Sequence, residues 1–154
     1  MVTFEYFEDF QVSDEWIPLG ETSVSKEEII SFAKIYDPQP MHLDEEAGAA
    51  SMLGGLAASG WHTGALLIRL LVGEILSKCS YFGSPGIGEV NWLAPLYPGD
   101  KLSVRCKITG VRRSRSKPHL GIVEFVVEGV NQNNIVVIRT TPTQFIGVKE
   151  EVPE

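Results

Sequence analysis

The chain has 154 residues, of which 44% are hydrophobic and 21% are charged. These proportions are typical of a globular domain and exclude a disordered or collagen-like chain. The formal net charge of −7 argues against sequence-independent binding to nucleic acid, because such binding needs a basic surface. The length predicts one domain that covers residues 1–154.

The cysteines and the longest apolar stretch indicate the setting in which the protein works. Cys79 and Cys106 form neither a CxxC pair nor a metal-ligand spacing, so we expect reduced thiols in a cytoplasmic protein. The apolar stretch over residues 57–76 is interrupted by a histidine, an arginine and a glutamate, which predicts a core helix rather than a membrane span. The first ten residues contain no apolar signal-peptide segment, and we expect no membrane partner.

Capping signals predict two helices in the first third of the chain. Ser25 and Glu28 have the spacing of a capping box, and apolar residues recur after them at helical intervals. Pro38 ends this helix at or before Asp37, since the residue before a proline is disfavoured in the α region. A second, short helix is expected from residue 45 to about residue 52.

The long helix predicted from Ser59-Gly60 to about Lys78 is apolar around nearly its whole circumference, so other structure must surround it. The residues after it alternate with period two and predict four strands, over 88–96, 101–111, 119–130 and 135–146, with a weaker candidate at 15–24. An antiparallel sheet curled around a long central helix is an α+β architecture, the hotdog arrangement. Because one such sheet leaves an open edge, we expect a homodimer or a higher homo-oligomer.

Asp37 and His42 are the first candidates for chemistry. Pro38 and Pro40 separate them and predict an extended loop outside any regular element, which can direct both side chains at one point. A carboxylate and an imidazole that share one water can take a proton from it and return one. The alternative is structural: Asp37 caps or turns the loop, and His42 bonds to the backbone. The spacing alone does not decide between the two.

Gly60 stands at the start of the predicted long helix. The first N–H groups of a helix lack intrahelical partners and carry the positive end of its dipole. Because glycine allows close approach to its backbone, a thioester oxygen bound there would be stabilised as negative charge develops on it. In the alternative interpretation, Ser59 caps the helix and Gly60 is small for packing.

Two motifs together, Tyr36-Asp37-Pro38-Gln39-Pro40-Met41-His42-Leu43-Asp44 and Ala58-Ser59-Gly60-Trp61-His62-Thr63, resemble the MaoC-like dehydratase family, which includes the (R)-specific enoyl-CoA hydratases. The resemblance implies a hotdog fold and action on acyl-CoA thioesters. It also implies catalytic roles for Asp37, His42 and Gly60, with hydration of a 2-enoyl-CoA or the reverse dehydration. No metal or redox cofactor is implied.

The chain departs from the hydratase pattern at Tyr36 and Gln39, where the family usually has glycine and asparagine. We expect Tyr36, Gln39 and Trp61 to contact the substrate. Two of them also have a structural interpretation: Gln39 could simply hold the loop, and an aromatic residue at a helix start, such as Trp61, is more often part of the core. The basic residues over 112–117 either bind the phosphates of coenzyme A or form a solvated connection.

Two other functions fit the same sequence. A hotdog acyl-CoA thioesterase also needs a carboxylate and an oxyanion donor. A non-catalytic subunit would bind acyl-CoA without turnover. The chain length and branching of the acyl group are not readable from the sequence.

Overall fold

One antiparallel sheet of five strands forms most of the structure, a computed structural model that describes residues 3–150. Its strands are β1 (Ile17–Ser23), β2 (Tyr81–Trp92), β3 (Lys101–Arg113), β4 (Leu120–Val130) and β5 (Val136–Gly147), in the spatial order β1-β3-β4-β5-β2. The helices are α1 (Lys26–Tyr36), α2 (Pro40–Leu43), α3 (Glu45–Ala50) and α4 (Gly60–Glu74). The predicted α+β class is confirmed.

The core lies between α4 and the inner face of the sheet. Leu66, Leu67 and Leu71 of α4 are buried, and alternate side chains of β3 and β4 meet them. The inward residues of these two strands are Leu102, Val104, Cys106 and Ile108, and Val123, Phe125 and Val127. The predicted hotdog arrangement, with the sheet around a long central helix, is therefore confirmed.

A proline starts the first of the two short helices that follow α1, and a side-chain cap starts the second. Asp44 accepts a hydrogen bond of 2.8 Å from the Ala47 N–H and starts α3. The prediction that His42 lies outside any regular element was wrong, because α2 is one helical turn that contains it. Pro40 is at the first position of that turn, where a proline needs no N–H and its fixed φ suits a helix. Asp37 lies outside α1 and α2, with φ −152° and ψ 69°.

Strand β2 begins at Tyr81, earlier than the predicted start at residue 88, and ends at Trp92 rather than residue 96. Its first half contains Gly83 and Gly86, both with positive φ, which resemble turn residues in the sequence. Because β2 is an edge strand, only one side needs hydrogen bonds, and its pairing with β5 tolerates several register shifts.

The prediction that α4 is surrounded on all sides holds only in part. Its side chains Trp61, Ile68 and Val72 are exposed in the single chain, and so is most of β2. The helix also ends at Glu74, and a separate 3₁₀ turn covers the remaining predicted residues to Lys78. No helix within residues 3–150 is long and apolar enough to cross a membrane.

Candidate active site

The site forms where the segment from Asp37 to His42 meets the three residues that precede α4. The His42 ring nitrogen Nδ1 lies 2.8 Å from the carbonyl oxygen of Ala57. The Ser59 hydroxyl donates a hydrogen bond of 2.6 Å to Oδ2 of Asp37. These two contacts hold both candidate side chains against the start of α4, beside Gly60. The sequence prediction that Asp37, His42 and Gly60 come together is thus met in the fold.

The Asp37 carboxylate is held by two side-chain donors. Gln39 donates from Nε2 to Oδ1 at 2.7 Å, and Ser59 donates to Oδ2. The Ser59 hydrogen bond is the main reason that the pKa of Asp37 is lowered below its usual range, and Gln39 and His42 act in the same direction against partial burial. Asp37 is therefore a fixed, ionised hydrogen-bond acceptor at neutral pH.

The orientation of His42 follows from its contact with Ala57. A carbonyl oxygen only accepts, so Nδ1 carries the proton and Nε2 of the neutral ring is an acceptor. Nε2 lies 3.5 Å from Oδ2 of Asp37, and the two side chains are only 6% and 17% exposed. Two acceptors that face each other in a mostly buried place need a donor with two hydrogens, and a water molecule meets that requirement.

Gly60 is the first residue of α4, whose leading N–H groups have no intrahelical acceptor. Ser59 does not cap the helix with its side chain, since its hydroxyl bonds to Asp37. The reason for glycine at this position is the indole of Trp92. A Cβ built on Gly60 would lie 2.5, 2.6 and 2.7 Å from three atoms of that ring. Packing against Trp92 therefore explains why residue 60 has no side chain. The Gly60 N–H stays available to a ligand.

The three residues predicted to bind substrate have different surroundings. Gln39 bonds to Asp37 and holds the carboxylate in place. Tyr36 is 69% exposed at the end of α1, and its ring leans on Phe32 with centroids 5.0 Å apart. Trp61 is 61% exposed and packs edge-on against Trp92 at 5.0 Å. Trp61 is thus not a core residue, contrary to the more frequent role of an aromatic side chain at a helix start.

The basic residues over 112–117 lie apart from this site. They occupy the end of β3 and the connection to β4 and are largely exposed. Arg113 donates a hydrogen bond to the Pro118 carbonyl oxygen and lines a groove with His119 and Lys149. Acidic side chains also line this groove. The groove contains none of the residues around Asp37. The structure does not bring these cations to the carboxylate–imidazole pair.

Two residues of the site are not predicted from the sequence. Serine is common at a helix N-cap, so the sequence indicates only a capping role for Ser59. Trp92 lies in a predicted strand, and its pattern indicates no further role. The signal for Ser59 was its position beside Gly60. No local pattern pointed to Trp92, which meets Gly60 across a separation of 32 residues.

Several known proteins are similar to this chain. A family model described as "MaoC like domain" matches residues 12–131. The uncharacterized protein YdeM of Bacillus subtilis (strain 168) is 30% identical over 114 residues, which cover 74% of this chain and 79% of YdeM. A solved MaoC-like dehydratase from Rhodospirillum rubrum is 37% identical, with a TM-score of 0.85 over 95% of this chain and 99% of that chain. The R-hydratase PhaJ1 from Pseudomonas aeruginosa shares the fold at 18% identity, with a TM-score of 0.73 over 99% and 94% of the two chains.

Proposed function

Because the chain belongs to the MaoC-like domain family, we propose that it adds water to a 2-enoyl-CoA to form a 3-hydroxyacyl-CoA, and catalyses the reverse dehydration. The observation that carries this proposal is the pair of acceptors, Oδ2 of Asp37 and Nε2 of His42, that face each other at 3.5 Å. A water molecule beside both atoms can direct one hydrogen at each of them, which leaves its lone pairs free to attack a substrate.

Asp37 is the general base and His42 is the second group on the water. As the water oxygen bonds to C3 of the substrate, one water proton passes to the Asp37 carboxylate. The electrons of the C2–C3 double bond move toward the thioester and form an enolate. The proton on Asp37 then passes to C2, while Nε2 of His42 accepts a hydrogen bond from the hydroxyl that remains on C3. The addition is then complete, with OH on C3 and H on C2, and the Asp37 carboxylate is regenerated. Ser59 and Gln39 keep the carboxylate in position.

The enolate oxygen needs a positive partner, and the start of α4 supplies one. In our proposal the Gly60 N–H donates to the thioester oxygen, and the other free N–H groups of the first turn add the positive end of the helix dipole. Loss of one such donor costs roughly 10²–10³-fold in rate in comparable sites. Ser59 and Ala57 hold the carboxylate–imidazole pair, and Ser59 directly precedes this donor in the chain.

Replacement of Asp37 by asparagine is the direct test. The substituted amide keeps the size of the side chain and an acceptor oxygen but loses the base, so turnover of trans-2-enoyl-CoA should fall by roughly 10²–10⁴-fold. The matched control is Asp14→Asn, which removes an exposed carboxylate elsewhere and should leave turnover unchanged.

The assay follows loss of enoyl absorbance together with release of free thiol. Enoyl loss without thiol identifies a hydratase, whereas thiol release identifies a thioesterase. Saturable acyl-CoA binding with no turnover identifies a non-catalytic subunit. Full activity of a folded Asp37→Asn protein would refute the assigned base.

We also propose that the protein is a homodimer. The edge strand β2 is exposed along nearly its whole length, and it carries Phe82 and Ile87 with more than half of each side chain in solvent. Ile68 and Val72 extend an apolar stripe along α4. An unpaired edge and exposed apolar side chains are the features that a two-fold partner covers. Sedimentation velocity at micromolar concentration should give a species of twice the 17.0 kDa chain mass, and a monomer would contradict the proposal.

A cytoplasmic location agrees with the chemistry of the cysteines. Cys79 and Cys106 are both free thiols, and Cys106 is buried in the core. Its burial raises the pKa of the Cys106 thiol to about 12, so it stays protonated and unreactive. We propose that the enzyme acts on coenzyme A thioesters in a reducing compartment.

A further inference from the structure

The indole of Trp92 covers one side of Gly60. A Cβ at Gly60 would lie 2.6 Å from Nε1 and 2.5 Å from Cε2 of that ring, closer than any side chain normally packs. Trp92 is the last residue of β2 and pairs with Ile138 of β5, so the sheet fixes the position of its backbone. The contact between the end of this strand and the start of α4 therefore forms a defined wall.

In the single chain this wall is not part of the protein core. Trp92 is 46% exposed, and its other neighbour is Trp61, whose ring lies edge-on at 5.0 Å and is 61% exposed. An indole that is half in solvent at the mouth of a site offers a flat apolar surface to a ligand. The two tryptophans together supply such a surface directly beside the helix N-terminus.

The wall is also next to the reacting groups. Gly60 follows Ser59 in the chain, and Ser59 holds the Asp37 carboxylate at 2.6 Å. If the thioester oxygen binds the Gly60 N–H, the atoms bonded to that thioester carbon lie nearest to the indole. These atoms are the sulfur and C2, and C3 must lie within reach of the water on Asp37 and His42 for the addition to occur.

We propose that Trp92 is a specificity-determining residue that excludes substituents on C2 of the acyl group. This inference rests on the proposed hydratase function and names a substrate class for it, the 2-enoyl thioesters without a branch at C2. In this proposal, the indole occupies the space beside the thioester carbon that a 2-methyl group would need. One methyl group that fits or fails to fit a pocket changes kcat/KM by about 10–200-fold.

The test compares trans-2-butenoyl-CoA and trans-2-hexenoyl-CoA with their 2-methyl counterparts, in wild type and in Trp92→Ala. The wild type should prefer the unbranched member of each pair. In Trp92→Ala the ratio of kcat/KM for branched over unbranched substrate should rise at least about 10-fold. Trp92→Leu keeps an apolar side chain of intermediate size and should give a smaller rise in this ratio. It replaces Trp92→Ala as the test if the alanine variant does not fold.

Val12→Ala is the matched control. It removes an exposed apolar side chain from the N-terminal segment, outside both β2 and α4, and should leave the ratio within about twofold of wild type. An unchanged ratio in folded Trp92 variants, with wild-type hydration intact, would overturn the role of Trp92 alone. Absence of hydration by wild type on all four thioesters would overturn the proposed function and this inference with it.

Discussion

Gly60→Ala separates the two roles of Gly60, packing against Trp92 and donation from its N–H. The added methyl group would lie 2.5–2.7 Å from three indole atoms, against ordinary carbon contacts of about 3.5–4.0 Å. Such overpacking typically costs about 1–3 kcal/mol in the free energy of unfolding. For a chain of this length that corresponds to a fall in Tm of roughly 2–12 °C.

A double-mutant cycle with Trp92→Ala assigns that cost to the indole. With the ring removed, an alanine at position 60 meets open space, and the cost should disappear. The free energy of unfolding of the double variant should therefore exceed the value expected from adding the two single effects by about 1–3 kcal/mol. The backbone N–H of residue 60 survives in every variant, so the double variant should retain hydration of an unbranched 2-enoyl-CoA.

The control for helix propensity is Gly73→Ala in the same helix. No atom lies within 4 Å of a Cβ at Gly73, so alanine there should be neutral or stabilising by up to about 1 kcal/mol. Thermal unfolding followed by circular dichroism measures wild type and each variant. A Gly60→Ala protein as stable as wild type, or an equal cost in the Trp92→Ala background, would refute the packing role of the glycine.

Two further predictions concern pH. Ser59→Ala removes the main cause of the lowered pKa of Asp37, so the acid limb of kcat/KM should move to higher pH, with activity at pH 7 reduced roughly tenfold or more. An unshifted acid limb would show that Ser59 does not act through the carboxylate. Burial lowers the pKa of His62, which stacks on Phe32 at 4.5 Å. Below about pH 6.5 the His62 ring takes up a proton in the unfolded chain, whereas burial opposes this uptake in the folded chain. The free energy of unfolding therefore decreases as the pH falls from about 6.5 toward the folded-state pKa of His62. His62→Phe keeps a stacked ring, and its Tm should fall less than that of wild type between about pH 7.5 and 5.5; an equal fall would exclude this origin.

Much of the fold was predictable because its signals are local. The predicted N-cap at Ser25 is observed, with a 3.1 Å hydrogen bond from the Glu28 N–H to the serine hydroxyl, and that hydroxyl also donates to the Glu28 carboxylate at 3.2 Å. The period-two alternation of apolar residues predicted β3 and β4 to within two residues at each end. Strand β2 was predicted too short because edge strands accept glycine and proline that a central strand would not.

The sequence by itself determined that Asp37 and His42 lie close together, since they are five positions apart and prolines restrict the chain between them. Only the tertiary structure decided what each side chain does. The contacts of His42 with Ala57 and of Asp37 with Ser59 join residues 15 and 22 positions apart. No pattern of helical or strand period reports such contacts, because they depend on how α4 and the preceding segment pack against the loop. The same packing presses Trp92 onto Gly60, and so the identity of the glycine is explained by a strand that the sequence places far away.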